Sequence, residues 1–283
     1  WSHYTLLKTM SLAAPKEPSL GHRSFINDEP NHRGEYIWQT REQILERVHR
    51  TASSLRELPG ISSSSSSSTS HLVVGFLTKA SSRPDWHVVM GACSLLGAVM
   101  VPFSANSLVT PEDFAPLLLH SETNVLFCSV DKLDLAASTA ASIAQQQKII
   151  IIVMDSFSCE PKQLSELETA GKRCWNFRQS ELEARGSPFA CCTPAPPDAD
   201  SLFIFTSGTT GHPKCVVLTQ RSAIAGSVAL IARVPDLLFH LKELVYLSFL
   251  PLSHVFGIFI DTGALRLGAQ IGYYSGEIAK MAE

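Results

Sequence analysis

Short apolar runs alternate with longer stretches of helical periodicity from residue 71 almost to the end of the chain. The run at residues 149–153 is the clearest, since it contains only Ile and Val and is too short for a helix of its own. A β-branched run of this length is typical of a strand buried on both faces of a sheet. The alternation therefore predicts an α/β fold, with mostly parallel sheets and helices on both faces.

Capping and breaking residues define the ends of several predicted elements. Thr40 can cap a helix at residues 41–58, and Pro84 opens a helix that Gly97 ends. A strand at residues 98–101 is expected to end before Pro102. The other predicted strands are residues 36–39, 72–77, 124–128, 148–154, 201–205 and 244–249, and the other predicted helices are residues 111–120, 134–146 and 220–233.

Two segments interrupt this order. Residues 62–70 are serine except for Thr69 and have nothing to bury, so they are interpreted as a solvated loop insertion, with a phosphorylation site as the alternative. Residues 155–199 lose the alternation and end in a proline-rich connector, which makes them a candidate sub-domain seam. With 45% hydrophobic residues in 283, the chain is long enough for a large core, in one or two domains.

Composition argues against several classes of partner. The net charge is -3, with acidic and basic residues mixed along the chain, so no basic stripe is available for a nucleic acid. The seven cysteines show no C-x-x-C spacing and are interpreted as reduced thiols of a cytosolic protein. The most apolar window, residues 244–260, is broken by Pro251, Ser253 and His254, so no transmembrane helix is predicted. The chain begins with Trp1, which leaves a targeting peptide open.

The segment that decides the function is residues 206–214, T-S-G-T-T-G-H-P-K, directly after a predicted buried strand. Glycines let backbone N–H groups point inward together, hydroxyls add hydrogen-bond donors, and a lysine offsets negative charge, so such a turn can wrap a polyphosphate. We predict that the phosphate-binding residues are Thr206, Ser207, Gly208, Thr209, Thr210, Gly211 and Lys214.

Two other interpretations of this segment were weighed. A Walker-type loop, G-x-x-x-x-G-K-[ST], is suggested by Gly208 and Lys214. It fails because Pro213 stands in place of its second glycine and Cys215 in place of its Mg²⁺-binding hydroxyl residue. A Ser/Thr-rich surface turn is disfavoured by the position of the segment directly after a buried strand.

Residues 206–214 resemble the phosphate loop of the adenylate-forming superfamily, which includes acyl-CoA synthetases, the adenylation domains of peptide synthetases and firefly-type luciferases. Cys215 is a departure, since the family usually has Gly there. A second segment, residues 249–257 (F-L-P-L-S-H-V-F-G), resembles the family's P-x-x-H segment. The resemblance implies a catalytic role for His254, near the activated carboxyl group. The alternative is a core histidine that caps a helix.

The neighbouring residues bear on the substrate. The resemblance implies that Phe256 and Gly257 shape an apolar acyl channel, with ordinary helix packing as the alternative. Residues 268–278 look like the long-chain acyl-CoA synthetase group, which favours fatty acids. Gly257 and Ile258 stand where that group commonly has an acidic and a basic residue, so chain length stays open. Weaker agreement extends over nearly the whole chain.

The resemblance implies a long-chain fatty acid–CoA ligase that uses ATP, Mg²⁺ and coenzyme A, in the cytoplasm or at the cytosolic face of the endoplasmic reticulum or peroxisome. Peripheral membrane association is left open. The family's Mg²⁺-binding Glu, ribose-binding Asp and C-terminal Lys have no counterpart here, so no metal ligand is assigned. We therefore expect the N-terminal portion of the large AMP-binding domain, inactive alone. The alternatives are a non-catalytic nucleotide- or acyl-binding protein and a ligase for an aryl or amino acid.

Overall fold

The computed structural model describes residues 2–26, 29–58, 72–78, 83–154, 174–177, 194–206, 213–233 and 244–274, in two sheets and the helices that cover them. The strands are β1 (Pro18–Ile26), β2 (Glu29–Thr40), β3 (Val73–Thr78), β4 (Val99–Ser104), β5 (Val125–Cys128), β6 (Ile150–Val153), β7 (Cys174–Asn176), β8 (Asp200–Thr206), β9 (Lys214–Thr219), β10 (Val245–Ser248) and β11 (Gln270–Tyr273). The helices are α1 (His3–Ala13), α2 (Arg41–Glu57), α3 (Pro84–Leu96), α4 (Pro111–His120), α5 (Leu133–Ser142), α6 (Gln220–Ile231) and α7 (Val255–Arg266), with a 3₁₀ turn at Val130–Lys132.

The larger sheet has seven strands in the order β7-β6-β5-β3-β4-β8-β9. All its neighbouring pairs are parallel except β8 and β9, which are antiparallel. Residues 150–153 form β6 and are buried throughout, as the β-branched run predicts. The prediction of a mostly parallel α/β fold is therefore confirmed.

Helices cover both faces of this sheet, and the residues of β3 show how. Val73 and Leu77 belong to one apolar cluster, together with Phe114 of α4 and Leu133 of α5. The alternate residues of the strand, including Phe76, belong to a second cluster that contains apolar residues of α1, α2 and α3. Successive side chains of a strand point to opposite faces, so one short strand contributes to both layers.

The smaller sheet has four strands in the order β10-β11-β1-β2. Strand β11 is parallel to both β10 and β1, whereas β1 and β2 are antiparallel. Leu20 and Ile271, from β1 and β11, belong to the same apolar cluster as the helices α1 to α3. Those helices therefore lie between the two sheets, and α3 contacts a strand of each.

Local signals place the helix ends as predicted. Thr40 and Gln43 form a capping box at the start of α2, and Gly97 ends α3 with a left-handed φ of 71°. Helix α1 was not predicted. Its signals are Ser2, whose side chain accepts a hydrogen bond from the N–H of Thr5, and buried residues that recur at helical spacing.

Several predicted boundaries need correction. β4 runs through Pro102 to Ser104, and β8 pairs with β4 at Met100, two residues before the proline, so a residue without an N–H is tolerated there. The helix predicted at residues 134–146 ends at Ser142. A short strand, β7, lies within the segment expected to be irregular. The serine-rich residues 62–70 lie outside the described residues, and the sub-domain seam stays a prediction.

Candidate functional site

Three strands of the larger sheet end at one edge. β3, β4 and β8 are neighbours and run parallel, so their carboxyl ends lie on the same side of the sheet. The last residues of these strands are Thr78, Ser104 and Thr206. In open α/β sheets, ligands bind outside the carboxyl ends of the strands. The segment that resembles a phosphate loop therefore leaves the sheet at an edge suited to binding.

The phosphate-loop segment connects two antiparallel strands. Thr206 ends β8 and pairs with Lys214, the first residue of β9, and the Thr206 hydroxyl donates a 3.4 Å hydrogen bond to the Lys214 carbonyl. The sequence analysis placed this loop between a strand and the helix at Gln220, so β9 corrects that prediction. β9 gives no clear periodic signal, because exposed positions follow each other along it.

Only the two ends of the predicted phosphate loop are described. The side chains of Thr206 and Lys214 are exposed, and within the described residues no carboxylate lies at ion-pair distance from Lys214. The loop residues Ser207, Gly208, Thr209, Thr210 and Gly211 lie outside the described residues, so their role stays a prediction.

Cys215, the departure from the family pattern, lies in β9 beyond the loop. It pairs with Phe205 of β8, and partial burial raises the pKa of its thiol. The thiol is therefore neutral at physiological pH and does not act as an anion beside the loop.

His254 lies at the amino end of α7. It is the N-cap residue, with an extended backbone (φ -105°, ψ 134°), but its side chain makes no capping hydrogen bond. The residue is exposed, so it is not a core histidine. A cavity of about 210 Å³ lies beside it, lined by Thr78, Ser104, Ala105, Asn106, Pro251, Ser253 and His254.

This cavity joins the P-x-x-H segment to the strand ends. Pro251, Ser253 and His254 form one wall, and residues at the ends of β3 and β4 form the other. Hydroxyls of Thr78 and Ser104 and the amide of Asn106 can donate to a carboxylate or phosphate oxygen. These three residues were not predicted from the sequence. The signal that could have found them is their place at or just after the carboxyl end of a strand.

The two residues after Val255 differ in their surroundings. The Phe256 side chain is 53% exposed, so it does not pack inside the helix layer of the described residues. Gly257 is buried, and a Cβ at that position would lie 2.7 Å from the carbonyl oxygen of Pro251. The structure thus gives Gly257 a packing role at the first turn of α7. The contribution of either residue to an acyl channel stays a prediction.

A metal-binding cluster and a membrane-spanning helix are both absent from the described residues. No group of three or more His, Cys, Asp or Glu side chains is placed to hold a metal ion in that part of the chain. Within the same ranges, no helix combines the length and the apolar character that crossing a membrane requires.

A sequence model of the AMP-binding enzyme family matches residues 15–283. The chain belongs to the AMP-binding enzyme family. The match covers both segments on which the resemblance to adenylate-forming enzymes rests, residues 206–214 and 249–257, and that resemblance is confirmed.

Curated relatives of this family member include acyl-CoA synthetases. It is 27% identical over 273 residues to long chain acyl-CoA synthetase 4 of Arabidopsis thaliana, covering 95% of this chain and 38% of that protein. It is 29% identical over 208 residues to long-chain-fatty-acid–CoA ligase 1 of Cavia porcellus, covering 70% of this chain and 28% of that protein. The chain thus spans less than two fifths of the length of these relatives.

Solved structures support the fold. The adenylation and carrier didomain of carboxylic acid reductase from Segniliparus rugosus, in complex with AMP, aligns with a TM-score of 0.72 at 21% identity, covering 96% of this chain and 39% of that one. The anthranilate CoA ligase AuaEII, in complex with anthranoyl-AMP, aligns with a TM-score of 0.69 at 16% identity, covering 100% of this chain and 46% of that one. The AMP-binding chain therefore has the fold of the N-terminal part of adenylate-forming enzymes.

Proposed function

We propose that the enzyme to which these residues belong activates a fatty acid with ATP and transfers the acyl group to coenzyme A. The observation that carries the proposal is the meeting of two segments at one sheet edge. β8 ends there at Thr206, the first residue of the predicted phosphate loop, and the cavity lined by His254 opens at the ends of the neighbouring strands β3 and β4. The names of the acyl-CoA synthetase relatives support the acyl class.

A carboxylate is a weak nucleophile, so the proposed reaction has two steps. Its oxygen attacks the α-phosphorus of ATP, and pyrophosphate leaves to give an acyl-adenylate. The thiol of coenzyme A then attacks the acyl carbonyl, AMP leaves and a thioester forms. Both steps move negative charge between oxygens, so orientation and charge neutralisation are the main contributions that a protein can make.

The residues of this chain would contribute at two points. The Lys214 ammonium and the hydroxyls of the loop would hold the β- and γ-phosphates, because a cation and hydrogen-bond donors together offset phosphate charge. His254 would lie beside the reacting carboxyl group. As an exposed N-cap residue without a capping bond, it has a ring free to meet a substrate oxygen.

Mg²⁺ bound to ATP would offset phosphate charge. The described residues contain no carboxylate cluster that fits it, so no step is derived through a metal held by this part of the chain. Coenzyme A is the second substrate, and no residue is assigned to it.

A ligase for an aryl acid is the second candidate. The described cavity of about 210 Å³ is smaller than the roughly 300–1,000 Å³ of typical ligand pockets, and much of its lining is polar. Such a volume can hold a carboxyl head group or a compact acid. An anthranilate CoA ligase, whose acid is an aryl acid, is among the similar structures.

Acid-dependent exchange of pyrophosphate into ATP by the full-length protein separates these functions. We expect exchange with a long-chain fatty acid and little with anthranilate or an amino acid. Preference for anthranilate would favour the aryl-acid ligase, and exchange with no acid in a wide panel would favour a non-catalytic binding protein. Residues 1–283 alone are expected to be inactive, and measurable exchange by that fragment would contradict this part of the proposal.

A further inference from the structure

A buried polar cluster lies behind the segment that carries His254. Asp261, on the second turn of α7, is completely buried, and so are Ser248 at the end of β10 and His87 on α3. The Ser248 hydroxyl donates a 2.9 Å hydrogen bond to Oδ2 of Asp261. Nε2 of His87 lies 3.4 Å from the same oxygen, and Nδ1 of His87 lies 3.3 Å from Nε2 of His3.

The hydrogen bond between Ser248 and Asp261 links the two elements on either side of one connection, β10 and α7. β10 ends at Ser248, the connection at residues 249–254 carries the P-x-x-H segment, and α7 begins at Val255. A hydrogen bond from the last strand residue to the second turn of the helix therefore fixes the strand and the helix relative to each other. His254 lies between these two fixed points.

Burying the Asp261 carboxylate has a free-energy cost that affects how its role is interpreted. Removing a carboxylate from water costs several kcal/mol unless its partners replace the lost hydration. Within the described residues, the only ion-pair partner at Asp261 is His87, which is charged only when protonated. The Tyr246 hydroxyl also faces this carboxylate, and burial and then Asp261 raise the pKa of the Tyr246 phenol. The hydrogen bond from Ser248 is therefore a main compensation for burying Asp261, and it ties the carboxylate to the end of β10.

Two backbone hydrogen bonds of the connection are local. The N–H of His254 donates to the Pro251 carbonyl at 3.0 Å, and the N–H of Ile258 donates to the His254 carbonyl at 3.2 Å. These bonds shape the turn but do not attach it to the rest of the fold. Buried side chains attach the connection at two places. Leu252 packs in the apolar cluster that contains residues of α1 to α3, and Ser248 and Asp261 join the flanking strand and helix, with His87 behind them.

We propose that Ser248 and Asp261 are positioning residues that hold His254 against the substrate cavity. The inference rests on the proposed function, since it requires that His254 acts in adenylation. Without the bond between them, the connection can shift and His254 is less often in place. Misplacement by a fraction of an ångström lowers turnover more than it lowers ATP affinity.

The test is a double-mutant cycle with Ser248→Ala and His254→Ala, measured by pyrophosphate exchange in the full-length protein. Because a hydrogen bond to a charged group is lost, we expect Ser248→Ala to lower kcat about tenfold, with the KM for ATP unchanged. In the His254→Ala background, Ser248→Ala should have almost no further effect, since it acts only through that histidine. The matched control is Ser227→Ala, which removes an equally buried hydroxyl that bonds only to the Ala223 carbonyl within α6.

A second variant checks the atom responsible. Asp261→Asn keeps an oxygen that can accept from Ser248, so we expect it to keep kcat within about threefold of the native value. A larger loss in Asp261→Asn, an unchanged kcat in Ser248→Ala, or equal losses from Ser248→Ala in the two backgrounds would each overturn the inference. An unchanged rate in His254→Ala would overturn the inference and the role of His254 in the proposed function together.

Discussion

The carbonyl oxygen of Pro251 lies 2.7 Å from the point that a Cβ on Gly257 would occupy. This contact packs the first turn of α7 against the connection that carries His254. Backbone cannot swing aside as the end of a side chain can, so any larger residue at position 257 must displace the turn.

We therefore expect Gly257→Ala to lower the thermal unfolding midpoint and to slow pyrophosphate exchange at least fivefold. Overpacking costs about 1–3 kcal/mol, which exceeds the roughly 1 kcal/mol that alanine gains over glycine in a helix. Gly226→Ala is the matched control, because the three atoms nearest to its Cβ, from 2.3 Å, all belong to the ring of Phe259, and a ring can turn. Equal losses in the two variants would show that the Pro251 contact is unimportant.

The buried histidine pair predicts an acid-sensitive fold. Burial, and then the nearby His87, hold the pKa of His3 well below its ordinary value. The folded protein thus keeps His3 neutral, whereas the unfolded chain protonates it near pH 6.5. The unfolded state binds the extra proton, so stability is complete above about pH 6.5 and falls as the pH drops below it, by up to about 1.4 kcal/mol per pH unit.

Urea unfolding between pH 7.5 and 5 checks this expectation. In His3→Gln, the pH dependence of the free energy of unfolding should fall by the contribution of about one proton. The half-buried His49, whose pKa is also lowered by burial, should still contribute to that pH dependence. His120→Gln, at an exposed helix end, controls for the loss of any histidine. If native protein and His3→Gln show the same pH dependence, His3 is not the responsible group.

How far the sequence predicts this structure depends on the range of each interaction. Thr40, Pro84 and Gly97 act through neighbours in the chain, so the helices that they begin or end could be predicted closely. The pairing of Met100 with Leu202 joins residues about a hundred positions apart, and no local pattern encodes it. The sequence therefore predicts local elements and motifs but not the strand order, and the roles of the phosphate loop and His254 stay predictions.

The strand ends beside the phosphate loop and His254 could not be predicted from the sequence. Thr78 and Ser104 look like ordinary strand residues until the strand order is known. Asp261 was missed for a related reason, because its partners come from β10 and α3, and a single acid in an apolar helix carries no local signal of a buried role.

A buried ion pair between α2 and α3 predicts a large and specific loss of stability. Nη2 of Arg47 lies 2.5 Å from Oδ1 of Asp85, and the two side chains are 8% and 6% exposed. Asp85→Ala leaves the guanidinium of Arg47 buried without this carboxylate, which typically costs 3–5 kcal/mol, so we expect a loss of about that size. The measurement is the free energy of unfolding in urea.

The exposed pair Lys16 and Glu42 is the matched control for Asp85→Ala. These side chains are 83% and 53% exposed, so Lys16→Ala should change stability by less than about 1 kcal/mol. A small effect of Asp85→Ala, similar to that of Lys16→Ala, would mean that water or other donors compensate Arg47.

Lys214→Ala is expected to raise the KM for ATP about tenfold in the full-length enzyme, because a charge-assisted contact to phosphate is lost. Lys148→Ala removes the same charge just before β6, at the opposite edge of the parallel sheet, and should leave the KM for ATP unchanged. Equal effects of the two variants would point to overall charge rather than to the loop.

His254→Ala is expected to behave in the opposite way, with kcat about 100-fold lower and the KM for ATP almost unchanged. A group beside the reacting carboxyl stabilises charge that develops only in the transition state, and removing such a donor typically costs this much in kcat. His120→Ala, another exposed histidine, is the control. Lys214 belongs to the predicted phosphate loop and His254 to the wall of the cavity. We therefore expect the Lys214 variant to change mainly the KM for ATP and the His254 variant to change mainly kcat. If both variants changed only the KM for ATP, His254 would belong to nucleotide binding and not to the chemical step.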